Sequence, residues 1–328
     1  MKIAKKCICF LFSLAVVATQ NQLSATTYAY ITNQLEHTVS VIDLDTNKLV
    51  KNIPVGINPA GIAICDGGRK VLISSPKAKS LYLLDTSNFK IIKTIKAGEG
   101  PLGVACDSQG KYIYVADWYT HKVRIIDIDK SSIIAEISVG KSPAGLLVDG
   151  KAQRLYVANR DSNSVSVINL NSYKVVVEIP VGKAPFGLAL SPNNKKLYVV
   201  NVRSSDVSVI NTHTLKKIAD ITVGEWPYCA IVDPAGKHLY VTNQEDETIS
   251  IVDLETNHEI ATIESGETPE GIDITADGKK LLVVNWGEGN ISVIDTQTRH
   301  IVSTIATGKG SRSFGRFIQN GSRVIPLK

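Results

Sequence analysis

Seven glycines, Gly56, Gly98, Gly140, Gly182, Gly224, Gly266 and Gly308, recur at a strict interval of 42 residues. Pro59, Pro101, Pro143, Pro185, Pro227 and Pro269 keep the same interval, with Ser311 at the seventh position. So does the polar series Asn33, Ser75, Asp117, Asn159, Asn201, Asn243 and Asn285. Seven such copies occupy 294 of the 328 residues, which leaves no room for a second domain of ordinary size. Self-similarity at this period is the signature of a repeat architecture, each unit burying its apolar faces against its neighbours.

Within a copy, apolar residues alternate with period two, which is the strand period. Gly187-Leu-Ala-Leu leads through a turn at Ser191-Pro-Asn-Asn to Lys196-Leu-Tyr-Val-Val. Val207-Ser-Val-Ile follows after a polar loop, and a longer segment such as Lys174 to Val181 completes a copy. Four short β-branched segments bounded by Gly, Pro, Asn and Asp are four antiparallel strands, the unit of a propeller blade. The fold class is therefore all-β, a seven-bladed β-propeller of four-stranded antiparallel blades. Gly61, Gly103, Gly145, Gly187 and Gly271 open the innermost strands, where a side chain would crowd the axis; Cys229 and Ser313 replace them in two copies. The glycine after each fourth strand is expected to take a positive φ. The Asn33 series is expected to bond nearby backbone groups.

Tyr240-Val-Thr-Asn243, echoed by Tyr156-Val-Ala-Asn159 and Tyr198-Val-Val-Asn201, resembles the YVTN-repeat family of propellers. Val-Ser-Val-Ile-Asn/Asp and Val-Gly-x-x-Pro-x-Gly extend the resemblance over residues 28–318. It implies a seven-bladed ring like those of YncE-type periplasmic proteins and archaeal surface-layer propellers, and it implies scaffold rather than chemistry. Some members are associated with DNA binding. No Trp-Asp dipeptide occurs, which disfavours a WD40 ring.

The first copy begins at Tyr28-Ala-Tyr-Ile-Thr with a second strand, not a first. Phe314-Gly-Arg-Phe-Ile318 is expected to supply the missing innermost strand, so that both termini share one blade and no sheet edge stays open. Arg323-Val-Ile-Pro-Leu is a rival second strand, but Pro326 cannot donate to a ladder. Asp273 and Arg316 stand where other copies carry apolar residues, and an ion pair across the closure is expected.

Residues 1–25 read as a secretory signal peptide: Lys2, Lys5 and Lys6 precede an apolar or small run from Cys7 to Ala18. That run is too short to span a bilayer, so no transmembrane anchor is expected. Cleavage after Ala25, or alternatively Ala18, leaves one propeller domain, 26–328, in the periplasm or outside the cell. The three signal lysines account for most of the net charge of +5, and the mature chain keeps only about +2. Cys65, Cys106 and Cys229 remain, an odd number beside apolar segments, and buried thiols are expected in preference to a disulfide or metal site.

Turns between the first two strands, such as Asp233-Pro-Ala-Gly-Lys, and between the last two, such as Asp253-Leu-Glu-Thr-Asn, are monotonous and read as structural. The opposite end carries the divergent loops. Trp118, Trp226 and Trp286 all fall there, joined by Tyr119, Phe186 and Tyr228. Loop charges are sorted around the ring, with Lys77, Lys79, Lys122, Lys141, Arg160, Lys183 and Arg203 in one arc. Glu225, Glu245, Asp246, Glu247, Glu267, Glu270 and Glu288 form the other. Aromatic planes and arginines anchor recognition surfaces. The candidate partner-binding set is accordingly Trp118, Tyr119, Arg160, Phe186, Arg203, Trp226, Tyr228, Trp286 and Arg312.

The expected activity is a non-enzymatic, exported binding or scaffold module, monomeric, for a protein or a small polar ligand. One alternative is single-stranded DNA on the basic and aromatic arc. The other is a hydrolase or lyase using Glu270, Arg312 and Asp273 at the channel mouth. No cofactor is expected: the chain has no Cys-x-x-Cys-His, P-loop or Gly-x-Ser-x-Gly. No metal site is expected either, since His37, His121, His213, His238, His258 and His300 are dispersed over the copies, with no more than two in any one.

Overall fold

The computed structural model describes residues 26–319. The export signal expected at 1–25 and the rival strand at 323–327 lie outside them. Each 42-residue copy folds as an antiparallel four-stranded sheet, and seven such sheets make the ring. Blade 2 starts at Ile62, and the innermost strands of blades 3 to 7 start at Pro101, Pro143, Pro185, Pro227 and Pro269. The second and third strands of every blade are almost wholly buried on both faces, as in Lys196–Asn201 and Asp206–Asn211. That double burial is why Val and Ile crowd these segments. The fourth strand borders solvent and buries little, as in Lys216–Thr222. Its pairing with the third is interrupted by a bulge at the same place in each blade, for example between Val209 and Ile210. Bulges twist an edge away from further pairing.

Blade 1 is closed by the two ends of the described chain. Its order from the axis is Ile318–Gln319, Tyr28–Asn33, Thr38–Asp43 and Lys48–Pro54. Regular pairing of the closing segment covers only Tyr28↔Gln319 and Ala29↔Ile318. Single bridges, Asn33↔Ser311 and a parallel Gly61↔Phe314, hold the remainder. The expected pair forms: Arg316 Nε lies 2.8 Å from Asp273 Oδ1. The amides of Phe317 and Ile318 donate to Asp273 Oδ2 at 2.8 and 2.9 Å.

Three local expectations are corrected. Of the glycines after the fourth strand, only Gly98 has a positive φ. Gly140, Gly182, Gly224 and Gly266 instead make room for an asparagine: a Cβ there would strike the side chain of Asn159, Asn201, Asn243 or Asn285. Of the Asn33 series, Ser75 and Asp117 do bond backbone, Ser75 to the Ile57 carbonyl at 2.5 Å and Asp117 to the Glu99 and Gly100 amides. The asparagine amides instead donate to a third-strand serine, Asn159 to Ser166 at 2.8 Å and Asn243 to Ser250 at 2.9 Å, a polar layer shared by five blades. The third correction concerns cysteine. Cys65 and Cys106 form a disulfide between the innermost strands of blades 2 and 3, with Cα atoms 5.6 Å apart; among the described residues only Cys229 is a free buried thiol.

The innermost glycines act as expected. A Cβ on Gly103, Gly145 or Gly187 would collide with the carbonyl of Ala144, Phe186 or Tyr228 in the next blade. The turn aspartates are Asx turns: Asp253 Oδ1 accepts from the amides of Glu255 and Thr256 at 3.0 and 2.8 Å. Among the described residues no helix is long and apolar enough to cross a membrane.

Candidate functional site

The sequence-selected residues separate into three settings at the loop end. Phe186, Tyr228 and Arg312 converge on the axis. Phe186 stacks on Tyr228 with ring centroids 4.1 Å apart and meets Phe314 edge-on at 5.3 Å. Phe186 is 4% exposed, Tyr228 8% and Phe314 5%, so these rings form an interior plug and not a contact surface. Arg312 threads the plug. Its Nη2 donates to the Tyr228 hydroxyl at 2.6 Å, and its Nε lies 2.7 Å from Glu270 Oε2. Gln244 donates to Glu270 Oε1 at 3.1 Å. Burial pushes the Glu270 carboxyl upward, while Arg312 pulls the other way.

Trp118, Arg160 and Trp286 are half-buried between blades. Trp118 packs against the plug, with the Arg160 guanidinium carbon 5.9 Å from its ring centroid. Trp286 Nε1 donates to Gln34 Oε1 in blade 1 at 3.3 Å. Tyr119, Arg203 and Trp226 are exposed. Tyr119 is 69% exposed and Trp226 53%, joined on this face by exposed Leu35 and Ile57.

Trp226 also occupies a costly backbone position. The residue before the innermost-strand proline is left-handed in most blades: Asn58, Ser142, Ala184, Trp226 and Thr268 have φ between 50 and 55°. L-residues lose roughly 1–2 kcal/mol in that region, and Gly and Asn lose least. Two histidines serve this same loop: His121 Nδ1 accepts from the Ser142 amide at 3.0 Å, and His37 Nδ1 from Asn58 at 3.2 Å. Among the described residues no group of three or more His, Cys, Asp or Glu is placed to hold a metal.

The charge arcs are more mixed than the loop count implies. Lys79 pairs with Glu99, Lys122 with Glu136 at 2.9 Å, and Arg160 with Asp161 at 3.1 Å. Glu270 and Asp273 each face a different arginine of the closing segment, Glu270 facing Arg312 and Asp273 facing Arg316.

The axial space of the ring lies beneath the plug. An axial channel of about 610 Å³ is lined by the innermost strands of blades 2 to 7 and by Phe314-Gly-Arg316. Pro192, Pro234, Thr275 and Ala276, from turns at the opposite end, also line it. Leu146, Leu188 and Leu190 in its wall are partly exposed, whereas the plug rings are not. The channel is therefore blocked at the loop end and accessible from the turn end.

Residues 13–109 match the model of the YNCE-like beta-propeller, 110–228 that of the cytochrome D1 heme domain, and 188–320 a domain of unknown function. No curated protein matches the chain. Among solved structures, hydrazine synthase of Kuenenia stuttgartiensis is similar with a TM-score of 0.72 at 22% identity, over 81% of this chain and 92% of that one. A functionally unknown protein of Desulfotomaculum acetoxidans gives a TM-score of 0.77 at 13% identity, over 88% and 99%. At these identities the likeness is one of fold.

The haem-domain match makes the channel the place to test for a porphyrin. Haem iron is held by His, Met, a Cys thiolate or Tyr. No histidine lines the channel, and the one methionine of the chain is Met1. Cys106 is disulfide-bonded, burial pushes the Cys229 thiol upward so that it stays protonated, and the Tyr228 hydroxyl is taken by Arg312. The donor set does not fit a ligated haem.

Proposed function

Because this chain belongs to the YncE-like seven-bladed β-propellers, a fold that supplies scaffold rather than chemistry, we propose that it is an exported recognition module binding a protein partner through its loop face. The observation that carries this reading is Trp226, a bulky ring held half in solvent by a left-handed residue. The left-handed position is shared by most blades, and what sets Trp226 apart is the large exposed ring it carries there. Tyr119, Leu35, Ile57 and Arg203, in loops of other blades at the same end of the ring, are exposed as well. Large aromatics and arginine are the side chains that dominate binding energy at protein interfaces. The Cys65–Cys106 disulfide supports export, since such bonds persist in oxidising compartments.

The test is the pair Trp226→Gly and Tyr119→Ala, with capture of partners from the extracytoplasmic fraction and thermal unfolding measured together. Trp226→Gly should raise stability by about 1 kcal/mol and reduce capture at the same time. A folded double variant that captures the same partners as the wild type would dismiss this face. Single-stranded DNA is the lesser reading, because basic loop residues such as Lys79 are already paired with neighbouring carboxylates. An oligonucleotide affinity that does not fall with salt would remove it.

A further inference from the structure

We propose that the axial channel is a second binding site, taking an unbranched acyl chain that enters from the turn end and seats its carboxylate on Arg316. Three observations converge on that ligand. The first is shape: a dead-end space of about 610 Å³ on the propeller axis, stoppered by Phe186 and Phe314. The second is lining. Side chains of wall residues such as Ile64, Val104, Leu146, Leu188 and Ile231 offer hydrocarbon, and each innermost strand is paired along one edge, to the second strand of its blade. Apolar area removed from water contributes about 25 cal/mol per Å².

The third is charge. Arg316 is the one charged side chain among the residues that line the channel, and it is 53% exposed on its side chain. Its Nε is held by Asp273, which is fully buried. Asp273 does not depend on Arg316 alone, since the amides of Phe317, Ile318 and Ile274 also donate to it. The terminal nitrogens of Arg316 have no partner among the described residues. A guanidinium fixed through Nε and offering its terminal N–H groups matches a carboxylate bidentately. A cationic or neutral head would leave that group unanswered. This site is independent of the loop face, from which the plug separates it.

The experiment is calorimetric titration of the full chain with dodecanoate, dodecanol and dodecyltrimethylammonium, each below its micelle-forming concentration. Dodecanoate should bind one to a chain, about tenfold or more tighter than the ammonium of equal length. Arg316→Gln should weaken dodecanoate by about tenfold and leave dodecanol within about threefold. Ala105→Trp, which fills the channel without touching Arg316, should remove both. Trp226→Gly should change neither, so failure of the loop-face reading stays distinguishable. If Arg316→Gln does not fold, Arg316→Lys keeps the charge and the preference for dodecanoate. No saturable binding, equal affinity for both head charges, or full binding by Ala105→Trp overturns the proposal.

Discussion

Blade 3 departs at two positions at once from the polar layer that five blades share, and the departure yields a quantitative test. Where five blades pair Asn with Ser, blade 3 has Asp117 and Arg124. Arg124 Nη1 pairs with Asp117 Oδ2, and its Nε reaches Glu136 Oε1 at 2.7 Å. Asp117 is fully buried and Arg124 nearly so. Removing one member of such a pair costs about 3–5 kcal/mol. Asp117 keeps donors in the amides of Glu99 and Gly100, at 2.8 and 3.0 Å, so Arg124→Ser belongs at the lower end, about 3 kcal/mol. At about 2–4 °C per kcal/mol for a chain of this size, the melting temperature should fall by roughly 6–12 °C. The double variant Asp117→Asn/Arg124→Ser rebuilds the pair used by the other blades and should return to within about 1 kcal/mol of wild type. Acid provides a second readout. Burial alone would raise the Asp117 carboxyl, but the Glu99 amide and Arg124 outweigh it and hold it below the usual carboxylate range. A depressed folded pKa contributes stability above the unfolded value of about 3.9, and that stability is lost as pH falls through the folded pKa. The double variant lacks this component and should lose less stability below pH of about 4. Circular dichroism melts across pH measure both effects. A double variant no more stable than Arg124→Ser would refute the interchangeability of the two pairs.

Deleting residues 311–328 removes the innermost strand of blade 1 and the partners of Asp273, and should abolish cooperative unfolding; an unchanged melting curve contradicts the closure. Reducing Cys65–Cys106, whose cysteines are 41 residues apart, should cost about 4 kcal/mol in urea unfolding if chain entropy governs the effect, and no change under dithiothreitol would refute that. Gly145→Ala places a Cβ against the Phe186 carbonyl and should lower the urea midpoint by the equivalent of about 1–3 kcal/mol, whereas a neutral result would mean the blades are not so tightly approached. Arg312→Met should cost about 3–5 kcal/mol by leaving Glu270 buried alone, and adding Glu270→Leu should recover most of it. A double variant as unstable as the single would deny that the two charges answer each other.

The ring was legible because its evidence is repeated seven times. Gly56 to Gly308 set the period, and alternation in segments such as Lys196-Leu-Tyr-Val-Val set the strand type. Reading one copy did not show what its neighbours do to it, and the misreadings share that cause. By its repeat position Gly140 reads as a turn glycine, whereas its duty is to admit Asn159 from the adjoining strand. Cys65 and Cys106 lie 41 residues apart, one short of a full repeat, which already placed them at adjacent levels of neighbouring innermost strands. That spacing was the available signal for the disulfide. A propeller implies an axial channel, but which end of it is sealed left no comparable trace. Whether Phe186, Tyr228 and Phe314 stopper the axis or face solvent depends on side chains from three blades meeting at one point, and no single segment records it. Trp226 and Tyr119 were placed at the correct end by the repeat, but their exposure, against the burial of Tyr228, follows from the loop backbone.

The charges at the closure explain how a ring of near-identical blades finishes in one register. Strand pairing has period two, so a closing segment of apolar residues can slip by two and still face the core. Four departures from the repeat oppose such a slip. Glu270 and Asp273 lie on one innermost strand, Arg312 and Arg316 on the closing segment, and they pair in order. A shift by two residues breaks both pairs together and strands Asp273 and Glu270, which are buried, without a cation. Each would then carry the penalty of an unpaired buried charge, about 3–5 kcal/mol. That penalty is far above what one mispaired apolar contact yields, so the ion pairs select the register even where they add little net stability. The same selection fixes Phe314 in the plug and Arg316 at the channel wall, so the closure also determines which end of the axis is sealed and which remains accessible.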